Sequence, residues 1–231
     1  MPFIYRTTWL ICRVAFRIYF RWRVFDEERV PPTGPVILAA NHTSFLDPPM
    51  VGTAVTRTIN YLARESLFRF PLFGAYLRAL NTVPVDRDGQ GAKGLKMILD
   101  RLFKGGGIIL FPEGTRSIDG RLQKARSGIG LTVIKSDAPV VPVRVFGSYE
   151  AWNRRQLFPR PRRVVVCFGN PLDFTNLRAE AKTCSKARTK EIYQEVADEI
   201  MRHIADLKNP LELQASGNSS DGPGPDSASV V

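Results

Sequence analysis

The sequence predicts an α/β fold: a single domain with a central mixed, largely parallel sheet flanked by helices, preceded by an amphipathic N-terminal helix. Strand-like and helix-like segments alternate along most of the chain, as they do when helices pack on a sheet. The strand-like run VILAA at 36–40 is apolar throughout, as strands covered on both faces are. A chain of 231 residues, 44% of them hydrophobic, is long enough for one such core.

Turn residues and apolar periodicity place the elements in order. Pro48 and Pro49 begin one helix and Pro71 begins another, because proline is favoured in the first helical turn. Glycines at 105–107 form a turn that leads into a strand, and apolar residues at helical spacing mark the last helix. The predicted strands cover 36–40, 58–63, 82–85, 105–111, 140–146 and 163–169, and the predicted helices cover 48–56, 72–80, 92–104, 129–135 and 186–207.

The N-terminal segment, residues 1–31 with its linker, is predicted to stand apart from a globular domain at 32–213 and a disordered tail at 214–231. A helix is expected over residues 3–24, where Arg13, Arg17 and Arg21 lie four apart and share one face. A basic stripe beside large apolar residues is typical of a helix that lies in a membrane interface. The alternative is a helix docked on its own domain with its arginines facing outward.

The net charge and the cysteines of the chain limit the kinds of partner and of site that the sequence predicts. The formal net charge of +11 implies an anionic partner, which leaves nucleic acid, an anionic membrane surface or a phosphate-bearing substrate open, beside a generally basic enzyme. The three cysteines are widely spaced and form no CxxC pair. They therefore suggest neither a zinc site nor a disulfide framework, and a reduced setting fits best.

One of the two histidines of the chain, His42, follows the apolar run 36–40 within the block NHTSFLD. Polar loops at the carboxyl ends of strands are where α/β proteins place functional groups. A carboxylate from Asp47 on one ring nitrogen would fix the tautomer of His42 and favour the imidazolium that forms when His42 acts as a general base. The alternative is that Asp47 caps the helix that begins at Pro48 and His42 is an ordinary loop residue.

Two further strands are expected to end in arginine. The block VPVDRD delivers Arg87, and ILFPEGTRS delivers Glu113, Gly114, Thr115 and Arg116. A glycine lets the backbone approach a ligand, Thr115 can donate a hydrogen bond, and the planar fork of arginine grips phosphate. Because no GxSxG nucleophile motif accompanies His42, direct activation of a substrate hydroxyl is the remaining role for a base.

Taken together, these blocks resemble the glycerolipid acyltransferase family, specifically the 1-acyl-sn-glycerol-3-phosphate acyltransferases. NHTSFLD is similar to the H-x4-D motif of the family, and VPVDRD, FPEGTRS and APVVPV (138–143) are similar to its second, third and fourth blocks, in the same order. Arg64 stands where the family often has lysine, which keeps the charge and changes the geometry.

The resemblance implies roles for these residues. His42 is expected to be the base and Asp47 its orienter, whereas the substrate phosphate is expected at five residues: Arg87, Glu113, Gly114, Thr115 and Arg116. Asn41 and Arg64 are further candidate substrate contacts. The implied reaction transfers an acyl chain from acyl-CoA or acyl-carrier protein to the sn-2 hydroxyl of lysophosphatidic acid and forms phosphatidic acid. It needs no covalent enzyme intermediate, no metal and no cofactor beyond the acyl donor.

The resemblance also implies partners and a location. We expect an anionic membrane surface, lysophosphatidic acid and the acyl donor as partners, no nucleic acid, and a monotopic association with the cytoplasmic face of a membrane. Within the family, glycerol 3-phosphate, another lysophospholipid or an aminolipid could serve as the acceptor, since each could use His42 in the same way.

Two alternatives come from other classes of protein. The string GQGAKG at 89–94 matches the GxGxxG pattern of dinucleotide sites, although this motif alone is weak. The segment WNRRQLFPRPRRVVV at 152–166 combines arginines with aromatic residues, as a nucleic-acid-binding surface does. Steeply salt-dependent binding of DNA or RNA without transferase activity would favour the latter.

Overall fold

A computed structural model describes residues 1–85 and 92–217 of the chain, and within them seven strands form one sheet. The strands are β1 (Arg23–Phe25), β2 (Val36–Ala40), β3 (Ile59–Arg64), β4 (Thr82–Val85), β5 (Gly107–Leu110), β6 (Val140–Phe146) and β7 (Val165–Phe168). The helices are α1 (Phe3–Tyr19), α2 (Asp47–Ala54), α3 (Pro71–Ala79), α4 (Ala92–Phe103), α5 (Ser127–Lys135), α6 (Ser148–Ala151), α7 (Thr175–Thr183), α8 (Lys186–Asp206) and α9 (Pro210–Gly217). Short 3-10 turns cover Glu27–Arg29 and Glu65–Arg69.

The order of the sheet is β1-β7-β6-β2-β5-β3-β4. Strands β6, β2, β5, β3 and β4 are parallel to one another, β7 is antiparallel to β6, and β1 is parallel to β7. The predicted fold class is therefore confirmed. Because β2, β5, β3 and β4 are neighbours in this order, the loops that follow them meet at one edge of the sheet.

Both faces of the sheet are covered, which explains why β2, β5 and β7 are buried along their whole length. Alternate residues of β2 point to opposite faces: Leu38 packs with the core beneath α1 and α2, whereas Ile37 packs with the core beneath α4, α5 and α8. All five residues of β2 are buried, so the strand that precedes His42 is the centre of the molecule.

The predicted N-terminal helix, residues 3–24, is longer than the helix that the structure shows. Helix α1 ends at Tyr19, and Arg23–Phe25 adds a strand to the sheet edge by pairing with β7. Arg21 has a left-handed backbone conformation, with φ of 46°, that turns the chain out of the helix. The sequence has no glycine or proline near Arg21, and so its apolar and basic pattern predicts a helix that continues past the observed end at Tyr19.

Helix α1 has one face buried against the domain and one face exposed. Tyr5, Phe16 and Phe20 are buried against the domain, whereas a second set of apolar side chains on the same helix is exposed: Phe3, Ile4, Leu10, Ile11, Val14 and Ile18. Arg13 does not belong to an outward stripe, because its Nη1 donates to the carbonyl of Thr53 at 3.0 Å and its guanidinium lies over the ring of Trp9. No helix in the described ranges is both long and apolar enough to cross a membrane.

Three helices were not predicted: α6, α7 and α9. Helix α9 includes residues 214–217, the first four of the segment expected to be disordered, and the remainder of that segment lies outside the described residues. The GQGAKG string lies partly outside the described residues as well, since α4 begins at Ala92.

We predict that Gly130→Ala destabilises the protein by about 3 kcal/mol, because an added Cβ would lie 1.9 Å from the backbone oxygen of Tyr193 where α5 packs on α8. Gly128, in the same helix, has no heavy atom within 4 Å of the position its Cβ would take. Gly128→Ala should therefore stabilise the protein, by up to about 1 kcal/mol, through helix propensity. Chemical denaturation of both variants checks the packing, and equal effects would contradict it.

Candidate active site

The carboxyl ends of β2, β5 and β3 bring the predicted site residues to one edge of the sheet. His42 and Asp47 lie in and just after the loop that follows β2, Glu113 and Arg116 lie in the loop after β5, and Arg64 is the last residue of β3. Strand β4 is the next neighbour and ends at Val85; Arg87 lies outside the described residues.

Asp47 organises the loop between β2 and α2. Its Oδ2 accepts hydrogen bonds from the backbone N–H groups of Thr43 and Ser44, both at 2.7 Å, and lies 3.0 Å from Nδ1 of His42. These contacts form the turn that brings two residues five positions apart together. Since an ionised carboxylate only accepts hydrogen bonds, Nδ1 of the neutral ring carries the proton and Nε2 is left as the acceptor.

His42 is also held from the neighbouring strand. Its ring stacks on the ring of Phe111, with centroids 4.0 Å apart and 19° between the planes. Its backbone N–H donates to Oε1 of Glu113 at 2.8 Å, and its carbonyl accepts from the N–H of Ser117 at the same distance. Asp47 is fully buried, whereas 16% of the His42 side chain is exposed, so the imidazole is fixed on its inner side and open to solvent on the other.

Glu113 has a different role from the predicted contact with phosphate. Only 2% of it is exposed, and its Oε2 accepts from the backbone N–H of Gln123 at 3.2 Å while Oε1 accepts from His42. Burial raises the pKa of this carboxyl to about 7, although the two N–H donors act in the opposite direction. The side chain fastens the loop after β5 to the loop after β2, and each of its two oxygens accepts a backbone N–H group.

Arg116 fits an anion well. Its guanidinium lies 3.5 Å from the centroid of the Phe45 ring, and its buried Nη1 has no hydrogen-bond partner in the part of the chain that the structure describes. Burial lowers its pKa, and the nearby charges of Arg154 and Arg64 lower it further. We call these three arginines the Arg116 cluster. The charge of Asp47 acts on this pKa in the opposite direction. Three arginines near one carboxylate leave a net positive charge that an anion would stabilise.

Arg154 was missed as a site residue. It lies in the arginine-rich segment 152–166, far from the loop after β5 in the sequence, and only the fold brings its charge to Arg116. Phe111 and Phe45 were missed for the same reason, since their contacts with His42 and Arg116 join separate loops.

The two remaining predicted residues of the loop after β5 form its exposed tip. Gly114 has φ of +70°, a left-handed conformation that glycine adopts without strain, and its N–H closes a turn onto the carbonyl of Phe111 at 2.9 Å. Thr115 is exposed beside it. Both residues lie close to Arg116 in the chain, and both are exposed.

Asn41 is not available to a substrate in this structure. Its Nδ2 donates to the carbonyl of Val145 at 3.1 Å, and its Oδ1 accepts from the N–H of Val145 at 2.7 Å. With 3% of its surface exposed, Asn41 extends the pairing of β2 with β6 beyond the end of β2. Over the described ranges, no group of three or more His, Cys, Asp and Glu side chains could hold a metal ion.

The site thus combines a histidine positioned by a buried carboxylate with a cluster of arginines at the same edge of the sheet. The sequence profile described as Acyltransferase matches residues 21–146, more than half of the chain. The chain therefore belongs to the acyltransferase family, as its four sequence blocks predict.

Individual relatives agree with this assignment. The chain is 28% identical over 139 residues, 59% of its length, to the 1-acyl-sn-glycerol-3-phosphate acyltransferase of Cocos nucifera, and the match covers 45% of that protein. It is 25% identical over 194 residues to the Bacillus subtilis protein of the same name, with 82% of this chain and 89% of that one covered. The chain thus spans less than half the length of the plant relative and most of the bacterial one.

A solved structure has the same fold. The crystal structure of the 1-acyl-sn-glycerophosphate (LPA) acyltransferase PlsC from Thermotoga maritima superimposes with a TM-score of 0.69 at 24% sequence identity. The superposition covers 88% of this chain and 80% of the Thermotoga chain, so the likeness extends over nearly the whole architecture.

We predict that ionisation of Glu113 makes the protein less stable as the pH rises. The carboxyl has a pKa of about 7 in the folded protein against an ordinary value of 4.5, so the folded state binds the proton more tightly than the unfolded chain does. Stability should fall between about pH 4.5 and pH 7 by roughly 3 kcal/mol and then stay constant.

Chemical denaturation of the wild type and of Glu113→Gln across this pH range measures the effect. Glutamine keeps an oxygen for one of the two N–H donors and cannot ionise, so it adds an offset that does not depend on pH. Other titrating groups cancel in the difference. The wild type should lose stability relative to the variant as the pH rises, and a constant difference would contradict the burial of a charge there.

Proposed function

We propose that this protein transfers a fatty acyl chain from acyl-CoA or acyl-carrier protein to the sn-2 hydroxyl of 1-acyl-glycerol-3-phosphate and so forms phosphatidic acid. The observation that carries the proposal is the 3.0 Å contact of His42 Nδ1 with Asp47 Oδ2, at the same sheet edge as the Arg116 cluster. The plant and bacterial relatives are 1-acyl-sn-glycerol-3-phosphate acyltransferases, which supports this acceptor.

The reaction follows from which ring nitrogen is free. Nε2 of His42 takes the proton of the sn-2 hydroxyl as its oxygen attacks the thioester carbon of the donor. The tetrahedral intermediate collapses, the carbon–sulfur bond breaks, and the imidazolium returns the proton to the leaving thiolate. Asp47 stabilises the imidazolium in between, so that no acyl group is ever attached to the protein.

The Arg116 cluster supports the choice of a phosphate monoester. The guanidinium of Arg116 is held in place by the Phe45 ring, and its unpartnered Nη1 is a donor ready for a phosphate oxygen. Holding both substrates beside the base is where most of the rate would come from, since positioning supplies about 7–11 kcal/mol and general base catalysis a factor of about 10²–10⁴.

Exposed apolar side chains support a membrane interface as the place of the reaction. On α1 they include Leu10 and Ile18, and the segment 67–76 adds Phe70 and Leu72, which is 90% exposed. The hydroxyls of Thr8 and Tyr76 lie 3.0 Å apart, so these two regions are neighbours. Large exposed apolar areas mark membrane or protein contacts. We infer a monotopic association, with the domain on the cytoplasmic face.

His42→Ala tests this function most directly, and the second histidine supplies the matched control. His203 lies at the end of α8 and contacts Glu199 at 3.0 Å, away from the site. Transfer from radiolabelled acyl-CoA to lysophosphatidic acid in detergent should fall by about 10²–10⁴ in His42→Ala and persist in His203→Ala. Equal activity in the wild type and a folded His42→Ala would exclude His42 as the base.

No product from any of the three proteins would exclude this donor and acceptor pair. Acyl-carrier protein as donor, and glycerol 3-phosphate, other lysophospholipids and an aminolipid as acceptors, then discriminate between the members of the family, because all of them require the same base.

Arg116→Ala should raise the KM for lysophosphatidic acid on the order of tenfold to a hundredfold, because a charged hydrogen bond to the phosphate is lost. The kcat should change little, since the phosphate is held equally in the ground state and the transition state. Arg121→Ala is the control, as its side chain is 89% exposed. Steady-state kinetics in detergent checks this, and an unchanged KM for Arg116→Ala would contradict the assignment.

A further inference from the structure

A second basic site lies beside the sheet edge that carries His42. A pocket of about 280 Å³ between the end of α1 and the start of β7 is lined by five residues: Arg17, Arg21, Trp22, Arg23 and Arg163. We call it the edge pocket. Arg23 pairs with Val165 at the start of β7, and Val165 pairs with the last residue of β6, so the pocket lies at the carboxyl edge of the parallel strands. Three strand spacings, about 14 Å, separate β1 from β2.

The charges of the edge pocket are not compensated by protein groups. All four arginines are exposed, and none forms an ion pair with a described carboxylate. Trp22 is 3% exposed, and its buried Nε1 has no hydrogen-bond partner within the described residues. The exposed polar groups of the lining side chains are therefore four guanidinium groups, which only donate hydrogen bonds, and this is the chemistry that takes a phosphate.

The backbone at Arg21, which lines the edge pocket, has an unfavourable conformation. Arg21 has φ of 46°, in the region where glycine usually ends a helix, and the N–H of Trp22 bonds to the carbonyl of Phe16 around it at 3.2 Å. A glycine would relieve this strain and would supply no charge. Strain of this kind is found where a side chain is needed in a particular place.

Exposed apolar side chains lie near the pocket, and they indicate which kind of molecule carries the phosphate. Ile18, 75% exposed, lies between Arg17 and Tyr19 on the last turn of α1. The hydroxyl of Tyr19 donates to the carbonyl of Pro159 at 3.0 Å, which places the exposed Leu157 and Phe158 close to the same end of the helix. Phosphate donors with an apolar rim match a phospholipid, whose headgroup and chains meet at the membrane interface.

We propose that the edge pocket binds the phosphate of an anionic phospholipid of the bilayer and so holds α1 and the active-site edge on the membrane. This site has no residue in common with the Arg116 cluster, whose Arg116 follows β5, whose Arg64 ends β3 and whose Arg154 follows α6. The proposal rests on the membrane association inferred above. It predicts a preference for anionic lipid that depends on these arginines.

Sedimentation of the full chain with vesicles measures this preference. One set of vesicles is phosphatidylcholine, and the other has three parts phosphatidylcholine to one part phosphatidylglycerol. Arg17→Gln with Arg163→Gln should reduce the ratio of the two affinities on the order of thirtyfold, since each arginine at an anionic surface contributes about fivefold. The matched control, Lys186→Gln with Lys190→Gln, removes the same charge from α8 on the opposite face of the sheet and should leave the ratio unchanged.

Two further variants separate a pocket from a diffuse positive surface. Arg17→Lys with Arg163→Lys keeps the charge and loses the planar fork of arginine. If the site is a phosphate pocket, the preference for anionic vesicles should weaken; if it is a diffuse positive surface, the preference should not change. Arg21→Gly should weaken the preference while the thermal midpoint stays equal or rises, because the left-handed strain is removed. An equal loss in the two double glutamine variants, or no effect of the lysine variants, would overturn the proposal.

The source of the phosphate is tested by competition. Displacement of the protein from anionic vesicles by CoA, with no displacement by the same concentration of inorganic phosphate, would assign the pocket to the acyl donor and overturn the lipid proposal. Equal binding to both kinds of vesicle would also overturn it and leave membrane association standing. No binding to either would overturn both, while acyl transfer that depends on His42 in detergent would still support the proposed function.

Discussion

One oxygen of Asp47, Oδ2, accepts hydrogen bonds from the His42 ring and from the N–H groups of Thr43 and Ser44, and the geometry of the site depends on it. A strand end and a helix start are joined through this single atom. The carboxylate is fully buried, so its charge acts on the imidazole with little screening by water. Without the Asp47 carboxylate, the loop after β2 would lose its turn, and the ring of His42 would lose its orientation.

The order of the strands provides a second set of contacts that hold His42, besides those of Asp47. Strand β5 lies next to β2, and so the loop that follows it can clamp His42 from the other side through Phe111, Glu113 and Ser117. The same loop then continues to Arg116. The loop after β5 thus both holds His42 in place and carries Arg116, and the burial of Glu113 is the energetic cost of joining the two loops.

The sequence predicts the strands of the parallel sheet well, because each is an apolar run bounded by turn residues, and the spacing of His42 and Asp47 is read correctly as a pair. Roles that depend on tertiary partners are not predictable in this way. Glu113 and Asn41 are assigned to substrate by resemblance, whereas their hydrogen bonds go to His42, Gln123 and Val145 across the sheet. The end of α1 is missed because an arginine occupies the position where glycine would have marked it.

The tautomer of His42 tests the central claim, that Asp47 holds a proton on Nδ1 and leaves Nε2 free to act as the base. The chain has only two histidines, so a long-range 1H–15N correlation spectrum of protein labelled with 15N-histidine is simple to assign with His203→Ala. For the neutral ring of His42, we expect Nδ1 in the protonated range and Nε2 in the unprotonated range. A proton on Nε2 instead would contradict the account, because the nitrogen facing the substrate could not then accept the hydroxyl proton.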